Sequence, residues 1–154
     1  MSTIMDGNAL AALAGEWSGE ETIATTRWGQ GGTATSTVSA RLDLGGKVLL
    51  QDYRQQRDGQ PSLQAHAVFV TGPGHDECAL YWFDSYGFAP AQPAPGHWNG
   101  QRLVFLRSSS RGQTRHIYAW DDADTYRLTL ESSFDGGIRW EPVMQGVYRR
   151  AAGR

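Results

Sequence analysis

Apolar and polar residues alternate along most of this 154-residue chain, and glycine-containing turns interrupt the alternation at short intervals. From Thr37 to Leu44 the even-numbered residues are apolar and the odd-numbered ones polar, and Gly45-Gly46 follows at once. A period of two is typical of a half-buried β-strand, and a diglycine is typical of a hairpin turn. Because the pattern recurs about ten times with no interior helical segment, the sequence predicts an all-β fold.

The predicted strands follow Trp17 in close succession. They are Glu21–Trp28, Thr33–Leu44, Lys47–Arg57, Ser62–Val70, Ala79–Tyr86, the short His97–Trp98, Arg102–Ser108, Thr114–Trp120, Tyr126–Phe134 and Arg139–Arg149. Asn99-Gly100 is the strongest hairpin signal in the chain. The proline-rich segment 89–96 is predicted to be an irregular loop or edge that forms a rim over a cavity, because proline removes ladder donors.

The N-terminal arm, residues 1–14, is predicted to hold the one helix. Asp6-Gly7-Asn8 can cap a short helix through Ala9–Leu13, which Gly15 would end. About ten strands joined by short connections favour a single up-and-down antiparallel barrel over a Greek-key sandwich, because closure removes the sheet edges. The chain is therefore predicted to form one barrel domain over residues 1–154, with the helix lying over one end.

Composition excludes several classes of function. The net charge is −2, Lys47 is the only lysine, and no basic cluster suits a phosphate backbone, so nucleic-acid binding is not expected. Cys78 is the only cysteine, which rules out an intrachain disulfide. The sequence shows no signal peptide and no apolar run long enough to cross a bilayer, so we expect a cytoplasmic protein without membrane contact. A homodimer remains open.

The first strand carries a resemblance to a known superfamily. Gly15-x-Trp17 near the start, with Arg149 or Arg150 near the end, resembles the signature of the lipocalins and the wider calycins. That resemblance implies that Trp17 closes the base of the barrel and that the arginine packs across its ring, a cation–π contact. It also implies that Gly19 and Glu21 point inward with Trp17.

A second resemblance covers nearly the whole chain and is to a bacterial family of unknown function. The motifs that carry it are Gly15-Glu16-Trp17-x-Gly19, Leu44-Gly45-Gly46, Trp82-Phe83-Asp84-Ser85, Asp135-Gly136-Gly137-x-x-Trp140 and Met144-x-Gly146-x-Tyr148-Arg149. The resemblance implies a lipocalin-like barrel and brings no catalytic residue with it. The haem-binding nitrobindins are related in fold but need a late histidine, whereas the last histidine here is His116, so no cofactor is expected.

Nine residues are predicted to line a ligand site in the barrel lumen. They are Trp17, His66, Trp82, Asp84, Tyr86, His116, Tyr118, Trp140 and Met144. His66 shares a strand face with Val68 and Val70. Asp84 has two interpretations: it anchors a ligand or acts as a general acid or base, or its carboxylate accepts backbone amides of the turn after Gly87. No third ligand stands at metal-binding spacing from the histidines, so no metal site is predicted.

Three functions are compatible with these patterns. The leading hypothesis is a module that binds a small apolar or amphiphilic ligand in the lumen. The second is a cofactor-free enzyme that uses Asp84 with His66 or His116 and a tyrosine for acid–base chemistry. The third is a barrel filled by its own side chains, serving as a structural or dimerisation domain. A carboxylate–histidine contact in the lumen would favour the second, and a fully packed interior the third.

Overall fold

The computed structural model describes residues 9–72, 77–87 and 90–151. A 3-10 turn at Ala9–Leu13 precedes the first strand, and a second 3-10 turn lies at Leu44–Gly46. The strands are β1 (Gly15–Ile23), β2 (Gly32–Asp43), β3 (Val48–Arg57), β4 (Gln60–Thr71), β5 (Glu77–Asp84), β6 (Ala94–Trp98), β7 (Arg102–Ser109), β8 (Gly112–Asp122), β9 (Thr125–Ser133) and β10 (Glu141–Arg150).

Each strand pairs antiparallel with its neighbours in sequence, and β1 also pairs with β10, which closes the sheet into a barrel. Trp17 lies opposite Arg150 in that closing ladder, and Ile23 lies opposite Met144. This confirms the predicted all-β, up-and-down barrel. None of the helical segments in the described ranges has the length and apolarity that a membrane-spanning helix needs.

The structure corrects several predicted boundaries. β1 ends at Ile23, and Trp28 lies in a turn with two thirds of its surface exposed, so the strand predicted to reach Trp28 is too long. Ala94, which was predicted to be irregular, begins β6 and pairs with Leu80. Gly15 begins β1 and does not end a helix. The predicted cap Asp6-Gly7-Asn8 lies outside the described residues.

One half of the barrel interior, which we call the closed half, is filled by side chains under the N-terminal 3-10 turn. Leu10 and Leu13 of this turn are fully buried, and Trp17 Nε1 donates to the Leu13 carbonyl at 3.0 Å. Aromatic rings on four strands pack in the same half. They are Phe69, Phe105, Tyr118 and Tyr126, with ring centroids 5.5–6.1 Å apart in the contacting pairs.

Arg150 fastens this end of the barrel to the turn. Its guanidinium carbon lies 4.2 Å from the Trp17 ring centroid, as the calycin resemblance implies. Nη1 donates to the Ala14 carbonyl at 2.8 Å and Nη2 to the Ala123 carbonyl at 2.9 Å, while Nε donates to Asp124 at 3.1 Å. One side chain on β10 therefore contacts β1, the residue that follows the 3-10 turn, and the β8–β9 connection.

Replacing this side chain tests how much the closure contributes. Arg150→Met keeps the aliphatic stem but loses the cation–π contact and three charged donors, and we expect the free energy of unfolding to fall by about 2 kcal/mol. The matched control is Arg149→Met: that arginine is exposed and its ion pair with Glu20 is 3.7 Å long. The control should change stability by less than about 0.5 kcal/mol, and equal losses in the two variants, measured by urea unfolding, would contradict this role.

Candidate ligand-binding site

The half of the interior away from the 3-10 turn, which we call the open half only because that turn does not cover it, is lined largely by polar side chains. Its inward-facing residues include Glu21, Ser36, Tyr53, Gln55, Trp82, Arg107, His116 and Met144, together with Asp84 at the end of β5. Alternation places them inside, because in a closed barrel every second residue of a strand faces the lumen. Most are buried, so each polar atom needs a partner.

Glu21 is the centre of one polar cluster on β1. The Tyr53 hydroxyl donates to its carboxylate at 2.8 Å, and the Tyr148 hydroxyl donates at 2.5 Å. Gln55 Nε2 donates at 2.9 Å and Ser36 Oγ at 3.1 Å. Four neutral donors therefore fill the oxygens of this buried carboxylate, and the cluster joins four strands.

Two glycines make the Tyr148 contact possible. A Cβ at Gly19, beside Tyr148 in the ladder, or at Gly146, two residues before it, would overlap the Tyr148 ring. The bare backbone at both positions lets the ring lie flat along the wall, stacked on Tyr126 at 4.9 Å, with its hydroxyl directed at Glu21. Burial and the Glu21 charge raise the pKa of Tyr53 and of Tyr148, so both hydroxyls stay protonated and remain donors.

His116 on β8 has a different environment. It is 1% exposed, and neither Nδ1 nor Nε2 has a hydrogen-bond partner among the described residues. Its ring packs edge-on against Trp82, with centroids 5.5 Å apart. Burial, and secondarily the charge of Arg107, lower the pKa of His116 well below 6.5, so the ring is neutral at physiological pH, with one donor and one acceptor unused.

Arg107 lies beside this histidine, since Phe105, two residues earlier on β7, pairs with His116. Arg107 Nε is buried and has no partner among the described residues, and the guanidinium carbon lies 6.0 Å from the Trp82 ring centroid. Burial lowers the pKa of Arg107, and the charge of Asp84 partly opposes that effect. We call His116, Arg107, Trp82 and Asp84 the unsatisfied cluster.

Asp84 does not neutralise Arg107 by direct contact. Its Oδ2 accepts from Trp82 Nε1 at 2.9 Å, and its Oδ1 accepts from the backbone amide of Tyr86 at 3.0 Å. The second bond is of the kind expected of a residue that holds a turn, because its donor, Tyr86, lies one residue before Gly87. The first fixes the indole of Trp82 in the lumen. Asp84 therefore positions Trp82, while its charge acts on Arg107 only through space.

The structure brings some of the predicted site residues together and separates others. Trp82, Asp84, His116 and Met144 line the open half, as assigned from their strand faces. Trp17 and Tyr118 are inward-facing but lie in the closed half, packed into the core. The remaining three, His66, Tyr86 and Trp140, lie outside the lumen.

Those three assignments to the lumen are wrong, each for a structural reason. Tyr86 lies in the turn after β5 and is 70% exposed. Trp140 precedes β10, and its ring lies outside the barrel under the guanidinium of Arg115, 4.0 Å from the ring centroid. His66 does share a face with Val68 and Val70, but that face points to solvent, since the neighbouring Ala65 and Ala67 are the buried positions of β4.

His66 lies in an outer groove of about 230 Å³ across β3, β4 and β5. Its Nδ1 lies 2.6 Å from Asp52 Oδ1, and its side chain is 72% exposed. The carboxylate–histidine contact that would favour an enzyme is thus present, but on the outside of the barrel and open to water.

Sequence reasoning missed Arg107, Tyr53 and Gln55. A signal for each was available in the alternation: Leu103 and Phe105 share the period-two face of Arg107, and Leu49 and Gln51 share that of Tyr53 and Gln55. A polar residue that continues an apolar inward face is therefore a candidate for a lumen function.

The hydrogen bonds of the Glu21 cluster predict that a nearly isosteric substitution of Glu21 causes a large loss of stability. Glu21→Gln replaces an acceptor oxygen by an amide that faces the hydroxyls of Tyr53 and Tyr148, and we expect the free energy of unfolding to fall by about 2–4 kcal/mol. Glu20→Gln, the same substitution on the exposed face of β1, should change it by less than about 0.5 kcal/mol. Denaturant unfolding of both variants checks this; similar effects would mean that the cluster does not support the fold.

His116 predicts a pH dependence of stability. The unfolded chain binds a proton on His116 below pH 6.5 while the folded chain does not, so stability is lost as pH falls from 6.5 towards the lowered folded pKa, by up to about 1.4 kcal/mol per pH unit. His116→Phe keeps the edge-on ring contact and removes this loss. We expect the unfolding free energy of the variant, relative to that of the wild type, to rise as the pH is lowered from 6.5 to 4.5 and to stay constant between pH 7.5 and 6.5. A difference that is constant over the whole range would contradict a buried neutral histidine.

Comparison with solved structures shows the same fold in proteins of low sequence similarity. Rv2717c from M. tuberculosis aligns with a TM-score of 0.73 at 14% identity, over 94% of this chain and 96% of its own. The S-type phycobiliprotein lyase CPES from Guillardia theta aligns with a TM-score of 0.71 at 9% identity, over 95% of this chain and 92% of its own. At these identities the likeness concerns the fold alone.

Comparison with curated proteins found no match. A family model does match, and it covers residues 6–150, which include every strand of the barrel and both polar clusters. The motifs that carried the sequence resemblance fall within this range. The chain belongs to DUF1579, a family of proteins of unknown function.

Proposed function

We propose that this protein binds a small amphiphilic molecule in the open half of its barrel, with the polar end of the ligand on the unsatisfied cluster. The observation that carries the proposal is His116: a fully buried imidazole with two unused nitrogens. A buried polar group without a partner costs about 1–3 kcal/mol of stability, so a fold that retains one has a use for it.

The apolar part of the ligand has surfaces to contact in the same half. Ile23, Leu63 and Leu130 are half-buried inward residues at this end, and Met144 lies beside them. Trp82 offers an indole that Asp84 holds in place. A site with apolar walls and a few convergent polar groups is the usual form of a small-molecule pocket.

The acid–base alternative has less support from the geometry. His116 has no carboxylate partner among the described residues, and the oxygens of Asp84 are occupied by Trp82 and Tyr86. The Glu21 carboxylate is filled by donors that hold the wall together. The histidine–carboxylate pair that does exist, His66 with Asp52, is exposed to water. We therefore place the ligand-binding function first.

The proposal is tested by titrating the protein with decanoate and comparing two histidine variants. His116→Phe should weaken binding about tenfold, since a hydrogen bond inside the site is worth about 1–2 kcal/mol. His66→Phe, the matched change in the outer groove, should leave the affinity unchanged. Calorimetry gives the affinities, and native mass spectrometry gives the stoichiometry, which should be one ligand per chain.

Two results would contradict the proposal. Loss of binding in His66→Phe with no change in His116→Phe would move the site to the outer groove. Absence of any complex of the wild-type protein with decanoate or with its neutral analogue 1-decanol, at concentrations where a weak lumen ligand saturates, would favour a barrel that only fills its own interior.

A further inference from the structure

We infer that the ligand carries a single negative charge, and that its carboxylate binds Arg107 and His116 at a break in the barrel wall between β5 and β7. This inference rests on the proposed function and adds the chemical class of the ligand.

The charge of Arg107 has no counter-ion in contact. Within the described residues it forms no salt bridge, and the nearby Asp84 already accepts from Trp82 and Tyr86. A guanidinium presents a planar fork of donors that matches a carboxylate, and here the buried Nε is unused. The neutral His116 ring next to it adds one N–H donor. Arg107 and His116 together therefore offer donors to an anion.

The barrel wall is incomplete where these residues lie. β6 is short: its ladder with β5 ends at Leu80–Ala94, and its ladder with β7 ends at Gly96–Phe105. Trp82 lies two residues beyond the first end and Arg107 two residues beyond the second, so both flank the same break. In the described residues no strand fills it, and the Arg107 guanidinium spans it to reach the Trp82 ring.

The His116 nitrogens are buried, and the Arg107 guanidinium lies next to them at the break, 6.0 Å from the Trp82 ring centroid. Arg107 is half-buried and is fixed by no hydrogen bond to its Nε. A ligand therefore needs Arg107 to turn outward, after which the guanidinium can return as part of the ion pair. The same side chain therefore controls access at the break and binds the head group of the ligand.

A monoanion fits this site better than a phosphate. Arg107 is one cation, His116 is neutral, and the Asp84 carboxylate lies close enough to act on Arg107 electrostatically. Counted together with Asp84, a bound carboxylate leaves one net negative charge at the cluster, whereas a phosphate dianion would leave two, and the cost of burial rises with that charge. Lys47, the only lysine, lies at the β2–β3 turn and cannot supply a second cation.

The test compares ligands with one chain and three head groups: decanoate, 1-decanol and decylammonium, titrated by calorimetry at pH 7.5. We expect wild-type protein to bind decanoate at least tenfold more tightly than decanol, and decylammonium least tightly. In Arg107→Met, which removes a buried charge, the preference for decanoate over decanol should fall below twofold. Arg107→Lys should keep part of it. Arg102→Met, an exposed arginine on the same strand, should retain the full preference.

The outcomes separate the two proposals. If wild-type protein binds decanol as tightly as decanoate, or if Arg107→Met keeps the full preference, the inference about charge is wrong while the lumen site stands. If none of the three ligands binds, the proposed function fails and this inference fails with it. Circular dichroism of each variant shows that the fold is intact before its affinity is interpreted.

Discussion

The pairing of β1 with β10 is the contact on which the rest of the structure depends, because it turns a ten-stranded sheet into a barrel with an inside. Without it, both strands would expose unpaired edges, and their inward residues would face water. Two side chains stabilise this pairing of β1 with β10. Arg150 fastens it at the closed end through Trp17 and the 3-10 turn, and Glu21 fastens it in the open half through Tyr148.

Closure also removes the polar groups inside the barrel from water, so each of them needs a hydrogen-bond partner from the protein or loses stability. Both interior clusters are shielded from water, but they meet this constraint in opposite ways. The acceptor Glu21 is filled by hydroxyl and amide donors, so that cluster stabilises the fold. The nitrogens of His116 and Nε of Arg107 have no such partners in the part of the chain that the structure describes, so stability is lost there. A ring contact between Tyr53 and Trp82, with centroids 6.1 Å apart, joins the two clusters.

The fold could be predicted from the sequence because it depends on local signals: period-two alternation, glycine turns and the Gly-x-Trp stretch. The candidate site was harder, since it depends on where each strand ends. By period-two alternation Trp82 and Tyr86 belong to the same strand face. However, β5 ends at Asp84, and the side chain of Tyr86 is exposed to solvent. The prediction that His66 faces the lumen is wrong because its neighbours in β4, Ala65 and Ala67, are small and give little indication of which face is buried. The break between β5 and β7 follows from the length of β6, which a proline-rich sequence does not define.

The central claim is that a ligand reaches the buried nitrogens of His116. Nitrogen-15 NMR of the histidine rings during titration with decanoate tests this most directly, because each imidazole reports its own hydrogen bonds. We expect the two His116 ring resonances to shift to saturation as the ligand is added, while those of the exposed His66 do not move. Saturated binding with unchanged His116 resonances would contradict it.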